Sequence, residues 1–139
     1  MKNLKESVAS NAFGPLDGIK GSLRVDLKYL QFQFSPEKSA LQSEFSLINE
    51  SEIPVAYKIK TTSPQRFSVK PSQGTVSGNI QQKIHVTLNL ASGENFLLMK
   101  YKFQIEFTGY ISASPEQSVN KIFSATQTPI RKITLPVVI

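Results

Sequence analysis

From Leu23 to Val137 the chain alternates apolar and polar residues, and this period of two constrains its fold more than any other feature. Leu23, Val25 and Leu27 alternate with Arg24, Asp26 and Lys28, and Leu30, Phe32 and Phe34 alternate with Gln31 and Gln33. Leu41, Phe45 and Leu47 share one phase; Ile53, Val55, Tyr57 and Ile59 alternate with Lys58 and Lys60; Phe67 and Val69 make a short piece ending at Pro71. Ile84, Val86, Leu88 and Leu90 alternate with Lys83, His85, Thr87 and Asn89. Tyr101, Phe103, Ile105 and Phe107 alternate with Lys100, Lys102, Gln104 and Glu106, and Ile133, Leu135 and Val137 close the chain. Successive side chains of a strand point to opposite sides, so each stretch reads as a strand with one buried and one wet face. Ser35-Pro36-Glu37-Lys38, Asn49-Glu50-Ser51-Glu52, Ser72-Gln73-Gly74 and Ser77-Gly78-Asn79 read as turns between them. Seven or eight short strands at this spacing predict an all-β sandwich.

One helix interrupts the rhythm. Ser114 suits an N-cap, Pro115 the first helical position, and Gln117 the third position after the cap. Val119, Ile122 and Phe123 then share a helical face, which predicts a short crossover helix before the last strand. Residues 1–22, broken by Gly14, Pro15, Gly18 and Gly21, read as a mostly flexible leader, and residues 23–139 as the domain.

A length of 139 residues with 40% apolar side chains suits one domain with a real core. The absence of cysteine excludes disulfides, thiolate metal sites and cysteine nucleophiles, and favours a reducing cytosol. No apolar stretch follows Lys2 as a signal peptide requires, and none reaches the roughly 20 residues of a bilayer-spanning helix.

Catalytic chemistry finds little support. His85 is the one histidine; it lies on the polar phase beside Lys83 and Thr87 with no acid nearby in sequence, so it reads as a solvated surface residue. The ten acidic residues are dispersed, which argues against a metal centre or a carboxylate pair. Gly74 and Gly78 lack the Gly-Lys-Ser/Thr ending of a phosphate loop and read as turn glycines. The expectation is a binding protein without enzymatic activity, cofactor or metal.

The net charge of +6 favours acidic partners, and alternation says where the charge lies. Lys58 and Lys60, then Lys100, Lys102 and Gln104, then Lys132 and Thr134 fall on outward phases of three strands. In an immunoglobulin-type sandwich the third, sixth and seventh strands share one sheet, which would gather these lysines on one solvent face. Such a face serves solubility or binding; crowding like charges costs stability, which a binding role would justify. Nucleic acid is not expected, because the aromatics fall on the buried phase and no arginine cluster accompanies them.

The stretch from Val55 to Pro71, VAYKIKTTSPQRFSVKP, resembles the signature of major sperm protein (MSP) domains, and most closely the VAMP-associated protein (VAP) branch. There V-A-F-K-V-K-T-T is followed by a small residue, proline, a basic pair, an aromatic and a V-R-P ending. Leu30-Gln31-Phe32, Leu47-Ile48-Asn49-Glu50-Ser51, the Gly74 turn and Lys102-Phe103 agree in order, over about residues 23–137. The resemblance implies a seven-stranded immunoglobulin-like sandwich that binds FFAT motifs, short acidic peptides with two phenylalanines. It assigns peptide contact to Lys58, Lys60, Thr61, Thr62, Lys102 and Lys132, with Gln104 in the pocket for an aromatic. Three departures stand out: Gln104 replaces a family Met or Leu, Ser72 an Asn, and Glu106 a Gln. A polar Gln104 implies weaker affinity for a standard motif or an altered specificity.

The resemblance places the domain in the cytoplasm, at the cytosolic face of the endoplasmic reticulum where a coiled coil and tail anchor follow it. The expected partners are acidic linear motifs of other proteins, with no nucleic acid and no direct membrane insertion. The alternative implied by the same family is a homo-oligomer that assembles into filaments.

Overall fold

In the computed structural model, which describes residues 21–90, 100–111, 118–125 and 129–139, the alternating stretches form a two-sheet sandwich. The described elements are β1 (Leu23–Val25), β2 (Leu30–Gln31), β3 (Ala40–Asn49), β4 (Val55–Thr61), β5 (Phe67–Lys70), β6 (Gln73–Val76), β7 (Gln81–Asn89), β8 (Lys102–Gly109), α1 (Val119–Ala125) and β9 (Arg131–Val138). One sheet has the order β1-β3-β7-β5 and the other β2-β9-β8-β4-β6. Every pairing is antiparallel except that of β2 with β9, which is parallel. Residues 1–20 of the expected leader lie outside the described residues, as do Ser114, Pro115 and Gln117.

The inward phases supply the core. Leu30, Leu47, Val55, Ile84, Leu88, Phe103 and Ile105 are all 0% exposed. Phe67 of β5 joins the two sheets through aromatic contacts. Its ring lies 5.0 Å from Phe103 and 5.3 Å from Tyr101, both edge-on, and 6.0 Å from Phe32. Offset and edge-on geometries align the positive edge of one ring with the negative face of another.

Among the described residues nine strands stand where seven are expected, and the differences trace to particular contacts. Gln73-Gly74-Thr75-Val76 forms edge strand β6 on β4 instead of a turn, pairing Gly74 with Tyr57. Only Val76 of the four is buried, so no alternation announces the strand. A Cβ at Gly74 would stand 3.0 Å from the Tyr57 hydroxyl, so glycine leaves room for the ring of its cross-strand partner. Gly78 does sit in a turn, where a Cβ would come within 2.4 Å of the Glu52 carbonyl oxygen.

Strand β1 stops at Val25 because Asp26 diverts the chain: its Oδ1 accepts the Ser46 amide at 2.8 Å. Leu27 is then left 41% exposed. Tyr29 and Phe34 are exposed as well, so not every aromatic lies on the buried phase.

The loop between β3 and β4 is organised by Asn49, which is 1% exposed. Its Nδ2 donates to the carbonyls of Ile53 at 2.8 Å, Val76 at 2.9 Å and Ser77 at 3.1 Å. Its Oδ1 accepts the Ser51 amide at 2.9 Å and the Ser51 hydroxyl at 2.6 Å. One amide thus ties the end of β3 in one sheet to the end of β6 in the other. Asn49→Ala leaves several of these buried groups without partners, and the expected loss is about 3 kcal/mol in a urea or guanidinium unfolding titration.

Tyr57 supplies a second test. Burial of its phenol opposes ionisation and pushes its pKa up to about 12 from the ordinary 10.0. The unfolded chain releases this proton near pH 10 while the fold retains it, so stability present below pH 10 is lost as pH rises toward 12. The group alone accounts for about 2–3 kcal/mol of that loss. Tyr57→Phe removes it, so the variant's stability curve falls less steeply over the same interval.

Candidate functional site

Register determines what shares the outer face of the second sheet, because residues directly opposite on antiparallel neighbours point the same way. Lys58 of β4 pairs with Glu106 of β8, and Glu106 with Lys132 of β9. Two residues along, Lys60 pairs with Gln104, and Gln104 with Thr134. Two residues further, Lys102 pairs with Pro136. Lys60, Lys102 and Lys132 are exposed, while Lys58, Gln104 and Glu106 are partly covered. The lysines expected to converge therefore do share one face, about 13 Å along the strands and about 10 Å across them.

The Thr pair divides. Thr62 is exposed just beyond the end of β4. Thr61 lies on the opposite phase, across from Phe103, and its Oγ1 accepts the Ser63 amide at 3.3 Å. This contact shapes the turn after β4 and directs Thr61 away from the lysine rows.

Two features of the face concern residues read differently, or not at all, from the sequence. The first is the position of α1, which packs on β4 and β6. The Ser118 hydroxyl caps it by accepting the Lys121 amide at 3.2 Å, and Ile122 is 2% exposed. At this end Ala56 and Thr108, on the outer phase, are fully buried. The Phe123 ring lies under Lys58, with Nζ 4.8 Å from the ring centroid. This cation–π contact holds the Lys58 head against the helix.

The second feature is Glu106. Its Oε1 stands 3.1 Å from Lys60 Nζ, and its side chain is only 13% exposed against 59% for that lysine. Alternation lists Glu106 among the outward residues of its strand, so the signal was present. The across-strand partner that makes it matter was not legible.

His85 lies on the other sheet. It is exposed, and its Nδ1 stands 3.5 Å from Glu44 Oε2, with Lys83 Nζ at 3.3 Å from the other oxygen. The acid missing from its sequence neighbourhood is supplied across the β3–β7 pairing, where Glu44 and His85 stand opposite. Among the described residues no group of three or more His, Asp or Glu is arranged to hold a metal ion, and no helix is long and apolar enough to cross a membrane.

The face thus presents four lysines, Lys60 paired with Glu106 and Lys58 seated on Phe123, together with the Gln104 amide and the Thr62 and Thr134 hydroxyls. It suits binding of an anionic, hydrogen-bonding surface more than bond breaking.

Known proteins agree with this architecture. The family model for the MSP (major sperm protein) domain matches residues 23–129. A relative, vesicle-associated protein 1-2 of Arabidopsis thaliana, is 29% identical over 104 residues, which is 73% of this chain and 43% of that protein. The chain therefore spans less than half the length of that relative. Among solved structures, WR4, a C. elegans MSP family member, superposes with a TM-score of 0.64 at 18% identity, covering 84% of this chain and 95% of that one. The PapD-like domain 7 of human CEP192 superposes with a TM-score of 0.60 at 12% identity, covering 95% and 94%. At these identities the structural likenesses speak for the fold alone. The signature from Val55 to Pro71, the sandwich and the family match together show that this chain belongs to the MSP domain family.

Proposed function

We propose that this domain is a VAP-like adaptor that recognises short acidic, phenylalanine-containing peptides of the FFAT kind on its basic outer face. The observation that carries the reading is the register that aligns Lys58, Lys60, Lys102 and Lys132 on one face. In support, a vesicle-associated protein is among its relatives. An extended peptide of about four residues matches the length of the face. Its carboxylates meet ammonium heads, and its aromatic rests near Thr62 and Gln104 on the stems of neighbouring lysines.

The same kinship supports a cytoplasmic place, at the cytosolic face of the endoplasmic reticulum if the parent protein carries a tail anchor. Filament assembly, the other reading open to the family, rests on family membership alone. Concentration-dependent light scattering tests it.

A fluorescent FFAT peptide titrated by anisotropy tests the adaptor role. Lys60→Asp/Lys102→Asp is expected to lose at least about tenfold in affinity, because Lys102→Asp turns attraction into repulsion and Lys60→Asp removes the cation that offsets Glu106. Binding by the wild type is expected to weaken steadily as salt is raised through the physiological range, as exposed charges are screened. Equal affinity of the two proteins overturns the assignment.

A further inference from the structure

We infer that Glu106 is a specificity-determining residue of this face: its carboxylate, seated on Lys60, excludes an acidic side chain from the centre of the bound peptide and sends the partner's negative charges to the two ends. This rests on the peptide-binding reading above and adds the charge pattern that the partner must carry.

The geometry is direct. Glu106 lies in the row of Lys58 and Lys132, on the middle strand of the three that carry the face. It reaches diagonally to Lys60, in the next row, at 3.1 Å. With 13% exposure its side chain has little freedom to move aside, whereas Lys60 is well exposed. A partner carboxylate aimed at Lys60 would have to share one ammonium with a fixed acid. Like charges at that range repel, and both would compete for the same three N–H donors.

The charge of Lys60, in the central row, is thus already matched by an acid. Beside it, Gln104 presents an amide that both donates and accepts, which suits an uncharged polar residue.

Lys102 and Lys132 are placed differently. Both are exposed, and among the described residues neither takes part in an ion pair with an acid. Lys132 stands at the level of Glu106 and Lys102 four residues along the same strand, about 13 Å away. A fitting partner therefore carries two acidic positions about four extended residues apart with an uncharged stretch between them. A uniformly acidic tract fits less well.

The test uses three fluorescent peptides with identical phenylalanine and acidic ends and a central Glu, Gln or Lys. Each is titrated against the wild type and Glu106→Gln, with thermal melting to verify that both proteins fold. The wild type is expected to bind the central-Gln peptide about tenfold more tightly than the central-Glu peptide. Glu106→Gln, which keeps shape and removes charge, is expected to erase or reverse that preference and to bind the central-Lys peptide worst. Binding of all three peptides in the same order by both proteins overturns the role of Glu106 while leaving the peptide face intact. Failure of every peptide to bind either protein overturns the peptide face, and the discrimination with it.

Discussion

The buried amide of Asn49 is the interaction on which the rest of the sandwich depends. Two sheets held together by apolar side chains alone can slide, because hydrophobic contact has no direction. Hydrogen bonds have direction, and Asn49 makes five of them within one corner. They set where β3 ends, how the chain turns through Ser51 and Ile53 into β4, and where the end of β6 lies relative to both. Strand β4 carries Lys58 and Lys60, so the register of the basic face begins at this corner.

From there the face is a consequence of pairing. Strand β4 is held between β6 and β8, and β8 between β4 and β9. A shift of one residue in either pairing would turn the outward lysines into the core. The inward neighbours Tyr57, Ile59, Phe103 and Ile105 forbid that shift, since each fills space between the sheets. The apolar half of the alternation thus holds the charged half in place.

Much of this was legible in the sequence. Alternation identified β3, β4, β7 and β8 and the outward phase of every lysine on the face, because a half-buried strand writes both of its surfaces into the chain. What escaped has a common physical origin: contacts between residues distant in sequence. Strand β6 is recognised by its pairing with β4, not by its own pattern. Asp26 ends β1 through a bond to Ser46. The family signature groups Thr61 with Lys60 and Thr62, whereas pairing sets Thr61 across from Phe103, on the other phase from the lysine rows. Glu106 was visibly outward, yet its pairing with Lys60 exists only once β4 and β8 lie side by side.

The seat of Lys58 on Phe123 makes that lysine common to two equilibria, helix docking and the anion capture proposed above. Its ammonium cannot lie over the ring and close fully on a carboxylate at once. The contact is weak, on the order of 1 kcal/mol at such a site, so neither equilibrium dominates the other. By reciprocity, whatever loosens α1 frees a cation at the edge of the face, and whatever draws that cation away loosens α1 to the same degree. A seven-residue helix with little stability of its own is thereby coupled to the charge beside it.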